Sequence, residues 1–370
     1  MSFPHKIGFM KPKGDIIPPA IISAEIGTVN STTLVMTYGE TLNPTSVPAT
    51  TAFSVSAPLS SPTVSGVAIL GLTVRLTLST AILYGDTVTV SYTKPGSNPL
   101  QDVAGNDCIN LVNYAVTNNV GFISQYQSVW NSFTNKPTVA DAKIQNYTLN
   151  ALVAGGYYAK AELLDVFSAH SNTAGESQKN WKNPGTFDPT IVNSPGWVAY
   201  AGFTGAATKY IELNFNPTTN GTLVSQNNIC MIWGVGTNVD ETTYDVGGND
   251  AAVYFRHRAR SSNFARMYCN DATAKTGANA SSIKHYAMSR GVAANYDSYI
   301  NLVKVNQVVA STGLVNISLL ACGVNGNGSK VGCTKQLRYV FIFSYLTQAE
   351  VQAVMGIMNT YLTNYGTNLY

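Results

Sequence analysis

Apolar and polar residues alternate along the first third of the chain, from Ile21 to about Asn119. Side chains of a strand point alternately to its two faces, so this pattern predicts half-buried strands. Each run ends in Gly or Pro, and about seven such strands fit into the segment, which is typical of a two-sheet β-sandwich. The predicted inward faces are Leu34, Met36 and Tyr38; Val74, Leu76 and Leu78; and Val88, Val90 and Tyr92.

Helical spacing of apolar residues is clearest in two segments, 138–154 and 347–365. Gly155-Gly156 follows the first, as expected at the end of a helix. The second begins with Thr347 and Glu350, the spacing of a capping box, and presents one apolar face. A helix with a single apolar face packs on a sheet, so we expect no membrane insertion.

Strand patterns dominate the remaining sequence. ELLDVFSA predicts a buried strand after the first helix, and strands are predicted at Tyr210–Phe215, Cys230–Val235, Ala252–Arg258, Arg266–Asn270, Ser298–Val303, Val315–Cys322 and Tyr339–Ser344. The fold class predicted is therefore all-β with a few helices, including a C-terminal one.

Three regions follow from these patterns: an extended arm at 1–20, a first sandwich at 21–119 and a second β-rich domain at 120–370. The arm contains four prolines, which disfavour both helix and central strand. It also carries Lys6, Lys11 and Lys13, which suit docking on an acidic partner surface.

Charged residues make up only 11% of the chain, and the net charge is +3. So small a net charge does not indicate nucleic-acid binding. Tyr (21) outnumbers Phe (13), which indicates many half-exposed aromatic rings. Low surface charge and exposed aromatics suit subunit contacts, and we expect a homo-oligomer, with a trimer favoured.

The five cysteines are widely spaced and form no CxxC motif. Their pattern favours buried free thiols over metal ligands. A bridge between Cys322 and Cys333 stays open as an alternative, and no cofactor is expected.

The runs TTLVMTYGETLNP, VRLTLSTAILYGDTVTVSYT and NPLQDVAGND resemble the bacterial immunoglobulin-like repeats of the SwmB type, found in cell-surface and swimming-associated proteins. The resemblance covers about 95 residues and implies a spacer or interaction domain without chemistry of its own. Asp102, Asn106 and Asp107 form a weak candidate for Ca²⁺ ligands. The alternative is a Gly turn whose side chains cap local amides.

A second resemblance covers residues 130–370, through LNALVAGGYYAKAELLDVFSAHS, NWKNPGTFDPTIVNSPGW, GFTGAATKYIELNFNP and LTQAEVQAVMGIMNTYLTNYG. These runs look like a module of tailed-phage structural proteins that belongs with the concanavalin A-like lectin and glucanase jelly rolls. The likeness implies a two-sheet sandwich displayed on a virion, often inferred to hold glycans. It supplies no ligand-binding residues, and GAATKY departs from the more polar loop of such modules.

Catalytic patterns are weak. A glucanase on this fold needs two or three carboxylates on one strand face, but YIELNF carries Glu212 with Asn214 where a second acid would be needed. Asp240, Glu241, Asp245 and Asp250 cluster in a Gly-rich segment, which predicts a solvated turn. We therefore do not expect an enzyme.

Two sets of side chains are candidates for glycan or partner contact. Arg256, Arg258 and Arg260 lie on one face of a predicted strand, with His257 opposite, and could hold an anionic glycan, a phosphate or an acidic subunit. The aromatic candidates for a sugar platform are Trp181, Trp197 and Trp233. The alternatives are an exposed strand face paired with acids, and tryptophans buried in the core.

The beginning of the chain shows no export-signal pattern, because prolines interrupt it and no apolar run follows the lysines. Release on a virus particle would explain an adhesin-like protein without such a signal. The sequence thus predicts a virion structural protein, as capsid decoration or head or tail fibre, which binds other virion proteins through its arm and polysaccharide through its second domain. The alternatives are a dedicated receptor-binding tail-fibre adhesin and a glycan hydrolase.

Overall fold

The structure is a computed structural model that describes residues 15–27 and 31–370. Within these residues the chain forms twenty-four strands and five α-helices, which confirms the predicted all-β class. Two compact units divide the chain, Met1–Phe122 and Ile123–Tyr370, so the division lies close to the predicted boundary after residue 119. Lys6, Lys11 and Lys13 lie outside the described residues.

The first unit contains seven strands in the order β3-β6-β7-β1-β2-β5-β4, antiparallel except for the β1–β7 pair. The predicted inward faces of β2, β5 and β6 are all buried in one core shared by the two halves of the sheet. The strands are β1 (Ile21–Ile26), β2 (Thr33–Tyr38), β3 (Phe53–Ser56), β4 (Val64–Leu70), β5 (Thr73–Leu78), β6 (Val88–Tyr92) and β7 (Leu111–Asn118).

Residues 15–20, the end of the predicted extended arm, lie against this unit. Pro19 is buried, and its carbonyl oxygen lies 3.6 Å from the Cys108 Sγ. The Asn106 side chain donates a hydrogen bond of 3.2 Å to the Asp15 carbonyl. These contacts fix the segment against the loop that precedes β7.

The second unit is built on two sheets. The eight-stranded sheet consists of β8 (Ala161–Val166), β10 (Gly196–Val198), β11 (Gly202–Thr204), β13 (Ile229–Val235), β18 (Lys284–Arg290), β19 (Asn295–Ile300), β20 (Val303–Val308) and β24 (Gln336–Phe343). The nine-stranded sheet consists of β9 (Thr190–Val192), β12 (Tyr210–Glu212), β14 (Val246–Asp250), β15 (Val253–Ser261), β16 (Phe264–Asp271), β17 (Lys275–Ala278), β21 (Leu320–Ala321), β22 (Gly323–Gly326) and β23 (Ser329–Gly332).

The inner faces of these two sheets share one apolar core. Met231 and Ile342 of the eight-stranded sheet and Phe255 of the nine-stranded sheet are all fully buried in it. The arrangement is a two-layer sandwich, and each strand predicted beyond residue 160 overlaps an observed one. Successive side chains of each strand point alternately to the inner and the outer face of the sheet. This alternation determines which polar side chains lie on the outer surface.

Helices complete the second unit: α1 (Ser124–Ser132), α2 (Val139–Ala154), α3 (Tyr157–Lys160), α4 (Pro217–Asn220) and α5 (Gln348–Thr363). The two predicted long helices are confirmed, and the capping box of α5 forms between Thr347 and Glu350. Helix α5 packs beside α2, and Tyr361 donates a hydrogen bond of 2.8 Å to the Ser168 carbonyl. Among the described residues, the structure contains no helix with the length and apolar character needed to cross a bilayer.

Candidate functional site

The outer face of the nine-stranded sheet carries the predicted arginine stripe. In β15, the half-buried Arg256, Arg258 and Arg260 alternate with the buried Phe255, His257 and Ala259. A tight turn at Ser262-Asn263, where both residues have positive φ, leads into β16. The hairpin register places Tyr268 opposite Arg256 and Arg266 opposite Arg258, so β16 contributes to the same face.

Arg256 lies among three tyrosines. The centre of its guanidinium is 4.1 Å from the ring centroid of Tyr244, 4.4 Å from Tyr254 and 5.0 Å from Tyr268. Its Nη1 donates a hydrogen bond of 2.7 Å to the Asn249 Oδ1. Ring faces attract a cation within about 6 Å, so the tyrosines orient this guanidinium without removing its charge.

Two further arginines extend the cationic surface. Arg258 lies 5.6 Å from the Tyr244 centroid and donates a hydrogen bond of 2.9 Å from Nη1 to the Thr242 carbonyl. Among the described residues, no carboxylate lies within ion-pair distance of Arg256, Arg258 or Arg266, and their buried Nε atoms have no hydrogen-bond acceptor. We define the arginine–tyrosine face as Tyr244, Tyr254, Arg256, Arg258, Arg266 and Tyr268.

Arg260 differs from the other arginines of β15. Its Nη1 and Nη2 donate hydrogen bonds of 3.0 and 2.8 Å to Asn238 and Asn263. Its Nε also lies 3.6 Å from an Asp240 carboxylate oxygen. Because this cation is already paired, we leave Arg260 out of the arginine–tyrosine face.

The strand beside Arg256 requires glycine at position 247. Gly247 has a φ of +114°, and a Cβ there would lie 2.1 Å from the Phe255 carbonyl oxygen and 2.9 Å from the Arg256 Cβ. No other residue fits this close approach of β14 to β15. The absence of a side chain at Gly247 leaves the Arg256 stem uncovered on that side.

The three tryptophans considered as a sugar platform do not form one in this structure. Trp181 and Trp233 are 1% and 0% exposed, which matches the alternative of burial in the core. Trp181 packs edge-to-face on Tyr361, and Trp233 stacks on Tyr286. Trp197 is half-buried and donates its Nε1–H to the Phe167 carbonyl over 3.0 Å. The tryptophans therefore contribute no shared exposed surface.

The side chains of the weak calcium candidate already contact neighbouring protein groups. Asp102 accepts hydrogen bonds of 2.8 and 2.7 Å from the backbone and side-chain nitrogens of Asn106, and Asp107 forms an ion pair of 2.7 Å with Lys94. These contacts match the alternative of a capped turn. The structure instead brings carboxylate oxygens of Asp102, Asp15 and Glu40 within 4.8 Å of one another.

The acidic segment 240–250 is only partly the solvated turn that was predicted. Asp245 is fully buried, and one of its oxygens lies 3.1 Å from the buried Lys335 Nζ. Glu241 pairs with the same ammonium at 2.9 Å. The prediction was wrong for Asp245, because its cationic partner comes some 90 residues later in the chain.

Glu212 is paired, and the cysteines are buried. The Glu212 carboxylate forms an ion pair of 2.8 Å with Lys330. All five cysteines are free and buried, so Cys322 and Cys333 are not bridged. Burial raises the pKa of the Cys322 thiol to about 12, which keeps the nucleophilic thiolate form scarce.

Sequence reasoning missed the tyrosines and Arg266. Arg266 and Tyr268 alternate in FARMYCND, and the preceding Ser262-Asn263 pair is a usable signal for a tight hairpin. Together these features could have placed Arg266 and Tyr268 beside the arginine stripe. Tyr244 comes from a loop, and nothing in its local sequence indicates where it packs.

Residues 15–97 match a sequence family described as a putative flagellar system-associated repeat. This match supports the predicted resemblance of the first unit to swimming-associated repeats, over 83 of the 370 residues. A comparison with curated proteins finds no match.

Solved structures that match parts of the chain include the N-terminal part of the bacterial S-layer protein SbsC, with 21% identity over 28% of this chain and 24% of that chain, at a TM-score of 0.23. Domain 4 of an extracellular arabinanase from Geobacillus stearothermophilus has 16% identity over 53% of this chain and 98% of that chain, at a TM-score of 0.34. Trypanosoma rangeli sialidase in complex with sialic acid has 11% identity over 95% and 63%, at 0.41. Each TM-score is below 0.5, so none of these likenesses assigns a function.

Proposed function

We propose that the arginine–tyrosine face binds acidic polysaccharide, and that the protein is a display module that holds such glycans without cleaving them. The observation that carries the proposal is Arg256, whose guanidinium lies among three tyrosine rings with no carboxylate partner among the described residues. A cation held in place but not neutralised is suited to an anionic ligand.

Guanidinium groups match the geometry of carboxylates and sulfates, because two parallel N–H groups can donate to two oxygens. Arg256, Arg258 and Arg266 lie on neighbouring positions of one hairpin face, and an acidic polysaccharide carries repeated anions along its chain. The half-buried rings of Tyr244 and Tyr254 offer flat apolar surfaces for sugar C–H groups, whereas Tyr268 is only 6% exposed and supports the arginine from below. The face therefore combines the two kinds of contact that an acidic sugar needs.

Each half-exposed contact is weak, since a surface ion pair contributes about 1 kcal/mol or less. Useful attachment would require many copies acting together, as effective concentration multiplies weak sites. A homo-oligomer, with a trimer favoured, is part of the proposal for this reason. Sedimentation of the full chain at micromolar concentration tests it, and a monomer of 39.5 kDa alone would oppose it.

The carrier that we propose is a tailed-phage virion, on which unit 1 acts as a spacer and the segment before Asp15 binds other virion proteins. The proposal is supported by the resemblance of residues 130–370 to phage structural modules and by the basic side chains of that segment. Deletion of residues 1–14 should leave a folded protein that no longer joins the particle. Normal incorporation of the truncated protein would contradict the docking role.

The direct test of the glycan site measures retention on immobilised polygalacturonate, with neutral dextran as the reference. The double variant Arg256→Gln/Arg258→Gln should lose roughly tenfold in apparent affinity, because it removes two exposed ion pairs that contribute about 1 kcal/mol or less each. Binding of the wild-type protein should weaken between about 30 mM and 300 mM salt, as screening shortens the reach of exposed charges.

Arg260→Gln is the matched control, since Arg260 is on the same strand but already paired with Asp240. It should change the affinity by less than about twofold. Equal losses in Arg260→Gln and the double variant, or equal binding to dextran, would contradict the proposed site. Release of reducing sugar that disappears in Glu212→Gln would instead favour a hydrolase.

A further inference from the structure

The sandwich of the second unit is open along one side, between the last strands of its two sheets. Strands β16 and β17 of one sheet and β19 and β20 of the other enclose a cleft of about 270 Å³. The cleft lies on the inner face, because its Met267 alternates along β16 with Arg266 and Tyr268 of the arginine–tyrosine face. It is therefore a separate site from the proposed polysaccharide surface.

The wall of the cleft is mainly apolar. Met267 and Ile300 form its inner end, and Val303 and Val305 of β20 turn their side chains toward it. These two valines are 68% and 51% exposed although they are on the inner side of the sheet. In the ligand-free protein, apolar side chains at the open end of a core stay in contact with water. A ligand that covers them removes this apolar surface from water, which favours binding.

Glycine keeps the cleft open. A Cβ at Gly277 would lie 3.4 Å from the Met267 Cε and 3.5 Å from the Ile300 Cδ1, so any larger residue there would project into the cleft. The backbone at Gly277 does not have positive φ, and the position tolerates other residues conformationally. A substitution can therefore fill the cleft without straining β17.

One cation and a few neutral polar groups lie in the lining. Lys284 begins β18 on the inner side, and among the described residues no carboxylate lies within ion-pair distance of it. Gln307 donates from Nε2 to the Ser298 hydroxyl over 2.9 Å. The lining thus combines an apolar wall with one uncompensated positive charge.

We propose that this cleft binds a short aliphatic carboxylate, with its tail against Met267, Ile300, Val303 and Val305 and its anionic head at the Lys284 ammonium. Ligand pockets in proteins usually span about 300–1,000 Å³, so a cleft of this size takes a single short chain. One cation in an apolar lining matches a ligand with one anion and one apolar tail.

The test titrates octanoate into the full chain labelled at its methionine and isoleucine methyl groups. Resonances of Met267 and Ile300 should shift, whereas Met355 of α5, buried away from the cleft, should not. Butyrate, which is four methylenes shorter, should bind up to about 250-fold more weakly, because each methylene removed from an apolar contact costs up to about fourfold. Octyltrimethylammonium, which has the same tail and the opposite charge, should bind more weakly than octanoate.

Two variants test separately the contacts of the ligand's aliphatic tail and of its carboxylate. Gly277→Leu should abolish binding of octanoate while leaving retention on polygalacturonate unchanged. Lys284→Met should weaken octanoate roughly threefold to fivefold and leave octanol unaffected, as expected for a partly exposed ion pair. Lys304→Met is the matched control, because Lys304 belongs to β20 but pairs with Asp297 at 2.9 Å.

Absence of shifts at Met267 and Ile300 with millimolar octanoate would overturn the proposal, as would undiminished binding in Gly277→Leu. Equal affinity of the wild-type protein for octanoate and octyltrimethylammonium would overturn the role of Lys284. Methyl shifts that depend on protein concentration without ligand would show that a second copy covers the cleft, which also contradicts a ligand site.

Discussion

The two faces of strand β15 border cations in opposite situations. On the inner face, His257 lies beside a buried cluster in which each charge has a partner. On the outer face, one residue away in either direction, Arg256 and Arg258 have no carboxylate partner among the described residues. The comparison separates side chains that stabilise the fold from side chains that are available to a ligand.

The inner cluster is closed by short contacts. Asp245 lies 3.2 Å from His257 Nδ1 and 3.1 Å from Lys335 Nζ, and Glu241 lies 2.9 Å from the same ammonium. Burial lowers the pKa of His257, so its imidazole stays neutral near neutral pH. Burial alone would lower the pKa of Lys335, but Asp245 and Glu241 outweigh it and raise that pKa.

The difference follows from the cost of burying charge. A buried ion without a partner costs several kcal/mol, so the inner face could retain Lys335 only with two carboxylates beside it. On the half-exposed outer face, Arg256 remains partly hydrated, and the tyrosine ring faces stabilise its charge. On β15, the unpaired cations are therefore on the face that a ligand can also reach.

The largest effect should come from Lys335→Met. The variant leaves Asp245 and Glu241 without their cation, and breaking a buried pair in this way costs about 3–5 kcal/mol in free energy of unfolding. Urea denaturation measures this loss in free energy of unfolding. Lys304→Met, which removes a partly exposed pair, is the control and should cost about 1 kcal/mol or less. Similar losses in both variants would contradict the distinction between buried and exposed pairs.

An intermediate effect is expected at the buried carboxyl of Asp165. Its strand neighbours on the same face, Leu163 and Phe167, lie in the core, and neither Asp165 oxygen has a hydrogen-bond donor among the described residues. Burial, reinforced by Asp188, raises the pKa of Asp165 well above its ordinary value. The folded protein therefore holds a proton that the unfolded chain releases above about pH 4.

The direction in which stability changes with pH follows from the proton that Asp165 holds in the folded protein. Stability from neutral Asp165 is fully present below the unfolded pKa and is lost as the pH rises through the folded pKa. Asp165→Asn should remove this dependence, so its stability advantage over the wild type should be larger at pH 9 than at pH 4, by about 1.4 kcal/mol for each pH unit that lies between the unfolded and folded pKa values. Urea denaturation at both values measures it, and parallel pH profiles would show that Asp165 is ionised in the folded state.

The smallest effect on stability should come from Arg256→Met. The variant keeps an unbranched apolar stem and loses only the contacts of the guanidinium with the tyrosines and Asn249, which contribute about 1 kcal/mol. Retention on polygalacturonate should nevertheless fall. A loss of unfolding free energy as large as that of Lys335→Met would place Arg256 among the structural cations and remove the contrast between the faces.

The strands and long helices were predictable because their signals are local. Alternation in TVRLTL fixed the buried side of β5, and the Thr347–Glu350 spacing marked the start of α5. The arginine stripe was predictable for the same reason. Asp245 was not, since its burial depends on Lys335, which the segment between β23 and β24 supplies.

The tyrosines around Arg256 show a similar limit. Tyr244 precedes β14, Tyr254 belongs to β15 and Tyr268 to β16, and only the sheet register brings their rings to one guanidinium. Trp181 and Trp233 illustrate the reverse case, in which a residue suited to a binding surface is needed in the core. Composition identifies such residues, whereas their position depends on the packing of distant segments.

The reactivity of the buried thiols can report which part of the protein unfolds. Cys108 lies in the first unit and the other four cysteines in the second. Burial raises the pKa of both Cys108 and Cys269 to about 12, so alkylating reagents should react with them mainly when the surrounding core opens. Labelling under increasing urea, followed by mass spectrometry of each cysteine peptide, would therefore report separately when each unit unfolds, without any added probe.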